Sequence, residues 1–244
     1  MKVVAYPISL IFYFLFFLLL LAFHPIQVVC YRFVGYSAHK KSVDILNFLL
    51  LICLKIVGTR ITFVQKKPLK KGETYIFACN HQSTYDIPPL IWYLRHHHAK
   101  FISKKELGNG IPSISFNLRH GGGALIDRKD RYSAVQEIKE FCHRVQKNQW
   151  SVVIFPEGTR SRDGNPKAFQ QGGLKTLLSA LPKAKLVPIS ISHSWKLARW
   201  NYFPLPLGVH IKFTVHPPED PDGKQITKRI AALEKIVVDN IIPG

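Results

Sequence analysis

Residues 3 to 23 carry no charged side chain and consist almost wholly of Leu, Phe, Ile, Val and Tyr, with Lys2 the one basic residue beside them. Such a run must face lipid or be buried in protein. Its length suffices to cross a hydrocarbon core of about 30 Å. It exceeds the apolar region of a secretory signal, about 7–15 residues, and it lacks an A-x-A site, so we expect an uncleaved anchor that ends at His24-Pro25. Residues 31–42 are polar and basic, with Tyr31, Arg32, His39, Lys40 and Lys41. The next apolar stretch, residues 43–57, includes Asp44, Asn47 and Lys55. It is short for a span, which predicts an interfacial or re-entrant helix. The excess of Arg32, Lys40 and Lys41 over Lys2 predicts that the polar stretch faces the cytoplasm.

Beyond residue 57, runs rich in strand formers alternate with helical patterns. Strands are expected at 60–64, 74–79, 100–103, 124–127, 150–155, 186–192 and 209–215. Helices are expected at 88–97, 131–147, 173–181 and 225–241. In 131–147 the apolar Val135, Ile138, Cys142 and Val145 fall three or four apart and mark one buried face, and Ile226, Ile230, Leu233 and Val237 do the same near the end of the chain. Alternation of this kind predicts an α/β fold: a mixed, mostly parallel sheet covered by helices, preceded by one or two N-terminal membrane helices. Two units follow, a membrane-anchoring segment over 1–57 and an α/β domain over 58–244.

Lysine and arginine total 34 against 15 acids, a formal net charge of +19. An anionic partner is implied: nucleic acid, an anionic membrane face or phosphorylated substrates. The aromatic and aliphatic content excludes a disordered basic tail. Nucleic acid is disfavoured, because no recognised nucleic-acid motif occurs and the basic residues are scattered rather than striped along one element. The four cysteines, Cys30, Cys53, Cys79 and Cys142, lack CxxC or metal-type spacing, which points to free thiols in a reducing compartment.

The densest chemistry lies in Cys79-Asn80-His81-Gln82-Ser83-Thr84-Tyr85-Asp86, after the apolar run Tyr75-Ile76-Phe77-Ala78 and before Pro88-Pro89. A strand that ends at Asn80 and a helix that begins near Pro88 leave His81 and Asp86 on the turn between them. A neutral imidazole can take a proton from a hydroxyl while a carboxylate on its other nitrogen fixes the tautomer. On a continuous helix, positions five apart lie about 140° apart, so the pairing requires a turn. The same spacing recurs at His39 and Asp44, with no strand leading into it, and we read that copy as chance.

A second stretch, Phe155-Pro156-Glu157-Gly158-Thr159-Arg160-Ser161, closes the apolar strand Ser151-Val152-Val153-Ile154. Gly158 allows close backbone approach to an anion, and Arg160 offers a fork suited to phosphate. Glu157 can accept from a substrate hydroxyl or hold Arg160. In a third stretch, Gly121-Gly122-Gly123-Ala124-Leu125-Ile126-Asp127-Arg128, Arg128 can add a phosphate contact or form a structural pair with Asp127. Lys104, just past a strand, can add charge to the same mouth, and Val187-Pro188-Ile189 reads as wall or core. His96-His97-His98 lacks an accompanying cysteine or acidic cluster and reads as a solvated helix end rather than a metal site. No H-E-x-x-H zinc motif, G-x-S-x-G elbow or G-x-G-x-x-G fingerprint occurs.

Together, Asn80-His81…Asp86, Gly123…Ile126-Asp127-Arg128, Phe155-Pro156-Glu157-Gly158-Thr159-Arg160-Ser161 and Val187-Pro188-Ile189 resemble the four ordered motifs of the glycerolipid acyltransferases, most closely the PlsC type that acts on 1-acyl-sn-glycerol-3-phosphate. The resemblance covers about residues 58–216. It implies transfer of a fatty acyl group from acyl-CoA or acyl carrier protein to the sn-2 hydroxyl of lysophosphatidic acid, with no metal, no cofactor and no acyl-enzyme. By the same resemblance, His81 is the base, Asp86 orients it, Arg160 with Lys104 and Arg128 holds the phosphate, and Glu157, Gly158 and Thr159 shape the acceptor site. A bacterial inner membrane, with the catalytic domain on its cytoplasmic face and anionic lipids as a surface partner, is the implied location. One departure concerns the acceptor: the family often shows Phe-Lys-x-Gly after the third motif, and here Phe169 precedes Gln170-Gln171-Gly172, so that one phosphate contact is either missing or supplied by Lys167. Another lysolipid acceptor therefore stands as the alternative.

Overall fold

A computed structural model of the chain describes residues 2–221 and 225–243. Met1, residues 222–224 and Gly244, which fall within the two units expected from sequence, lie outside them. Strand β1 is Arg60–Gln65, β2 Tyr75–Cys79, β3 Ala99–Lys104, β4 Ala124–Ile126, β5 Ser151–Ile154, β6 Lys185–Ser192 and β7 His210–Val215. They form one sheet in the order β1-β7-β6-β2-β5-β3-β4. All neighbours pair in parallel except β6 with β7, so the sheet is mixed and mostly parallel. The central strand β2 is buried at every residue, which explains why its sequence alternates poorly: both faces are covered.

The helices are α1 Lys2–Val29, α2 Tyr36–Leu54, α3 Ile87–Tyr93, α4 Ile114–His120, α5 Arg131–Asn148, α6 Gln171–Ala180 and α7 Ile226–Asp239. One apolar cluster, containing Phe12, Leu54, Phe77, Leu90, Val187 and Phe213, covers one face of the sheet. A second, built on Phe141, Val145, Leu177 and Leu233 from α5, α6 and α7, covers the other. The apolar spacing of α5 and α7 supplies that second face.

Three expectations are corrected, and two further elements come from the structure alone. The first helix does not end at His24-Pro25: it runs through Pro25 to Val29 and on through a π turn, Cys30–Val34. At this point the helix is held from outside, by Ser113 Oγ donating to the Leu20 carbonyl at 2.8 Å and Ser113 N–H donating to His24 Nδ1 at 3.1 Å. The second helix starts at Tyr36 rather than at 43, because Gly35 (φ +110°) breaks the chain and the polar residues that follow are not linker: His39 and Ser42 are buried against the body. The helix expected over 88–97 stops at Tyr93, and a separate 3-10 turn covers Arg95–His97. Helix α4 and the 3-10 segment Ser194–Tyr202 lack a long apolar period and were not anticipated.

The span Lys2–Val34 is long and apolar enough to cross a membrane by length and composition. It nonetheless touches the sheet domain along its length. Tyr6 meets Phe203, Ser9 Oγ accepts from Leu205 N–H at 2.8 Å, and Tyr31 lies 4.8 Å from the His120 ring.

Candidate active site

Strands β2 and β5 are adjacent and parallel, so their carboxyl ends deliver two polar loops to one spot. After β2, Asn80 is buried and acts as an extra rung. Its Nδ2 donates to the Ile191 carbonyl at 2.8 Å, and its Oδ1 accepts from Ile191 N–H at 2.7 Å. The chain then turns. Ser83 caps a 3-10 turn, Thr84–Asp86, in a capping box whose carboxylate is Asp86. Reversal on this turn brings positions five apart together: His81 Nδ1 lies 2.8 Å from Asp86 Oδ2.

Asp86 is fully buried and well supplied with donors. Its Oδ2 also accepts from Gln82 N–H at 2.8 Å and Ser83 N–H at 2.9 Å, and its Oδ1 accepts from Ser194 Oγ. A carboxylate held this way can only accept, so the His81 proton belongs on Nδ1 and Nε2 is left as the acceptor. The imidazole stacks on Phe155, with centroids 4.1 Å apart and planes 20° apart, and its side chain keeps 18% exposure. The backbone of His81 is fixed on both sides: N–H donates to Glu157 Oε1 at 2.7 Å, and the carbonyl accepts from Ser161 N–H at 2.8 Å and Ser161 Oγ at 3.1 Å.

Glu157 does not hold Arg160; it borders the groove beside the dyad, with its carboxylate engaged by backbone donors. It is buried, and its second oxygen accepts from Lys167 N–H at 3.0 Å, so the carboxylate ties the loop after β5 to the loop after β2. Burial raises its pKa, against the two backbone donors. Gly158 turns the chain at φ +70°, and Arg128 Nη1 donates to its carbonyl. Thr159 is exposed. Arg160 Nη1 donates to Thr84 Oγ1 at 2.6 Å and to the Tyr202 hydroxyl at 3.0 Å.

The cations assigned to the phosphate by resemblance are thus split. Arg160 lies on the Thr84–Tyr202 side of the turn, while Arg128 lines a groove of about 630 Å³ with Phe155, Glu157, Gly158 and Thr159, the last three being residues expected to shape the acceptor site. Lys104 ends β3, exposed, beside Ile126 in register and outside that groove's lining. Ser194 and Tyr202 escaped the sequence reading. Ser194 is 108 positions from Asp86, and no local pattern marks it. Among the described residues, no group of three His, Cys, Asp or Glu side chains is placed to hold a metal.

A family model described as "Acyltransferase" matches residues 60–192. A coconut (Cocos nucifera) 1-acyl-sn-glycerol-3-phosphate acyltransferase is 28% identical over 167 residues, 68% of this chain and 53% of the relative. Proteins of the same description from Helicobacter pylori (34% over 126 residues, 50% of each chain) and Haemophilus influenzae (29% over 147 residues, 60% of each) are also similar. The chain spans about half the length of the curated relatives it matches. The crystal structure of PlsC, the 1-acyl-sn-glycerophosphate acyltransferase of Thermotoga maritima, shares the fold, with a TM-score of 0.76 and 22% identity over 98% of this chain and 95% of that one.

Proposed function

The chain belongs to the acyltransferase family, and from that premise we propose that it transfers a fatty acyl group from a thioester donor, acyl-CoA or acyl carrier protein, to the sn-2 hydroxyl of lysophosphatidic acid. The observation that carries the chemistry is the His81–Asp86 pair at 2.8 Å with Nε2 free to accept. Nε2 takes the proton of the acceptor hydroxyl. The hydroxyl oxygen attacks the thioester carbonyl, the carbon–sulfur bond breaks, and the departing thiolate receives the proton from His81.

Direct transfer is favoured because the chain's own nucleophiles near the pair are committed. Ser83 Oγ accepts from Tyr85 N–H, Ser161 Oγ donates to the His81 carbonyl, and Ser194 Oγ donates to Asp86. Cys79 is wholly buried, and burial raises its thiol pKa well above the usual range. Arg160 and Arg128 are the cations placed to meet a phosphate on either side of the Gly158 turn. Lys104 could add charge from the end of β3.

A membrane site suits this chemistry, because both the acceptor and the acyl chain partition into lipid. The outward face of α1 exposes Leu10, Ile11, Phe14, Phe17, Leu18 and Leu21, and exposed Ile45 and Ile52 continue it on α2. Since α1 meets the sheet domain from Tyr6 onward, an upright span would carry that domain into the hydrocarbon. An outer face sunk into one leaflet, with the lysines held against anionic lipid headgroups, fits the contacts better. Gln170, where the family's Phe-Lys-x-Gly pattern has lysine, keeps another lysolipid acceptor as the second reading.

Acceptor competition separates the two readings. Lysophosphatidic acid should outcompete lysophosphatidylcholine for palmitoyl transfer, and Arg160→Ala should raise its KM about tenfold with kcat less affected. Equal use of both acceptors by wild type and by Arg160→Ala would sink the assignment of Arg160 to a free phosphate monoester. Parallel assays with palmitoyl-CoA and palmitoyl-carrier protein identify the donor.

A further inference from the structure

Away from the dyad, at the amino end of β3, a cavity of about 50 Å³ lies between α2, β3 and α4, lined by His39, Lys40, Asp44, Arg95 and Lys100. By the usual measure a water needs about 10–15 Å³, so the space accommodates a small cluster of oxygen atoms. Its charge is unbalanced. Asp44, the one acid in the lining, is taken by Lys40 at 2.5 Å, and Lys40 also donates to the Arg95 carbonyl at 2.8 Å.

Lys100 is 8% exposed, and its ammonium sits 5.0 Å from the Tyr36 ring and 4.8 Å from the Trp150 ring. The two rings stabilise a cation but accept no ordinary hydrogen bond from its three N–H groups. His39, fully buried, has no partner for either ring nitrogen among the described residues. Buried polar atoms with no partner are costly, and the cavity bordered by both His39 and Lys100 is where an acceptor would serve them. Without a counter-ion, burial and the charge of Lys40 push the Lys100 amine down to about 7.

We propose that this cavity binds a phosphate-class oxyanion, anchored by Lys100 and assisted by Arg95, whose guanidinium stacks on Trp92 and donates to its carbonyl at the cavity's edge. After Lys40 and Asp44 cancel, two cationic side chains remain, which match a dianion. The phosphate could be free, or it could be the headgroup of an anionic lipid, since exposed Ile45 and Ile52 put apolar surface on the same helix as His39 and Asp44. This site is separate from the dyad and does not require the acyltransferase reading to hold.

The test follows thermal unfolding of the full chain in dodecyl maltoside. Inorganic phosphate is added against chloride of equal ionic strength, and dioleoyl phosphatidic acid in mixed micelles is added against dioleoyl phosphatidylcholine. Lys100→Met, Lys100→Gln, Arg95→Gln and Arg160→Ala are compared with wild type. We expect wild type and Arg160→Ala to gain about 3 °C with ligand at about five times its Kd, the Lys100 variants to lose most of that gain, and Arg95→Gln to gain less than half. A gain with phosphate alone assigns the free ion, and a gain with phosphatidic acid alone assigns the headgroup. No gain in wild type, or a full gain in any folded Lys100 or Arg95 variant, overturns the site. A gain lost only in Arg160→Ala moves the phosphate to the active site and overturns it too.

Discussion

His81 and His39 are each followed five residues later by an aspartate, and the fold treats the two pairs oppositely. His81 and Asp86 lie on a capped turn between β2 and α3 and hydrogen-bond at 2.8 Å. His39 and Asp44 lie on one continuous helix, α2, where positions five apart point about 140° away from each other. Asp44 pairs instead with Lys40, four residues before it, and His39 keeps both nitrogens without partners among the described residues. The difference teaches that the spacing carries no chemistry. The turn does, because reversal of the chain at Ser83 lets one carboxylate oxygen collect the imidazole and two backbone N–H groups.

If that contrast is right, the largest effect belongs to His81→Ala. It should lower kcat about 10²–10⁴-fold with an unchanged melting temperature, read by product formation and by thermal unfolding. Asp86→Asn comes next. An amide that turns its NH₂ toward Nδ1 reverses the tautomer, and kcat should fall about 10²-fold. Such a loss without a shift in unfolding would sharpen the contrast, whereas a fully active Asp86→Asn would break it.

Ser194→Ala should cost about tenfold in kcat with little change in KM, because it removes a hydrogen bond to a charged group that orients His81 without touching substrate. Ser194→Thr, which keeps the hydroxyl, should recover most of the loss. Rescue is the informative part: a merely structural role for Ser194 would show in stability rather than in this kcat pattern. The smallest effect belongs to His39→Ala, which should change kcat less than about threefold.

How much of this was legible in the sequence depends on the range of the interaction. All seven strands stand within a residue or two of where their apolar runs place them, because burial of a strand is written locally. The turn that unites His81 and Asp86 was also local, signalled by the strand end at Asn80 and by Pro88-Pro89. Helix α2 was read late, at 43, because Lys40 and Lys41 look like linker. In the fold, Lys40 is absorbed by Asp44 and the Arg95 carbonyl, which only the tertiary structure provides.

Ser194, at the head of a 3-10 segment, and Tyr202, at its end, approach the dyad from more than a hundred positions away, and nothing near them announces it. Glu157 shows the same limit from the other side. Its residue type suggested a substrate contact or a partner for Arg160, but burial between two loops turned it into a clasp for backbone N–H groups. Side-chain chemistry was readable, and its direction was not.

The most direct measurement is palmitoyl transfer from palmitoyl-CoA to lysophosphatidic acid in detergent, with wild type, His81→Ala and His39→Ala side by side. Product from wild type and His39→Ala, with none above background from His81→Ala, is the result expected from the geometry. Wild-type turnover by His81→Ala, or a dead His39→Ala that still folds, would contradict it.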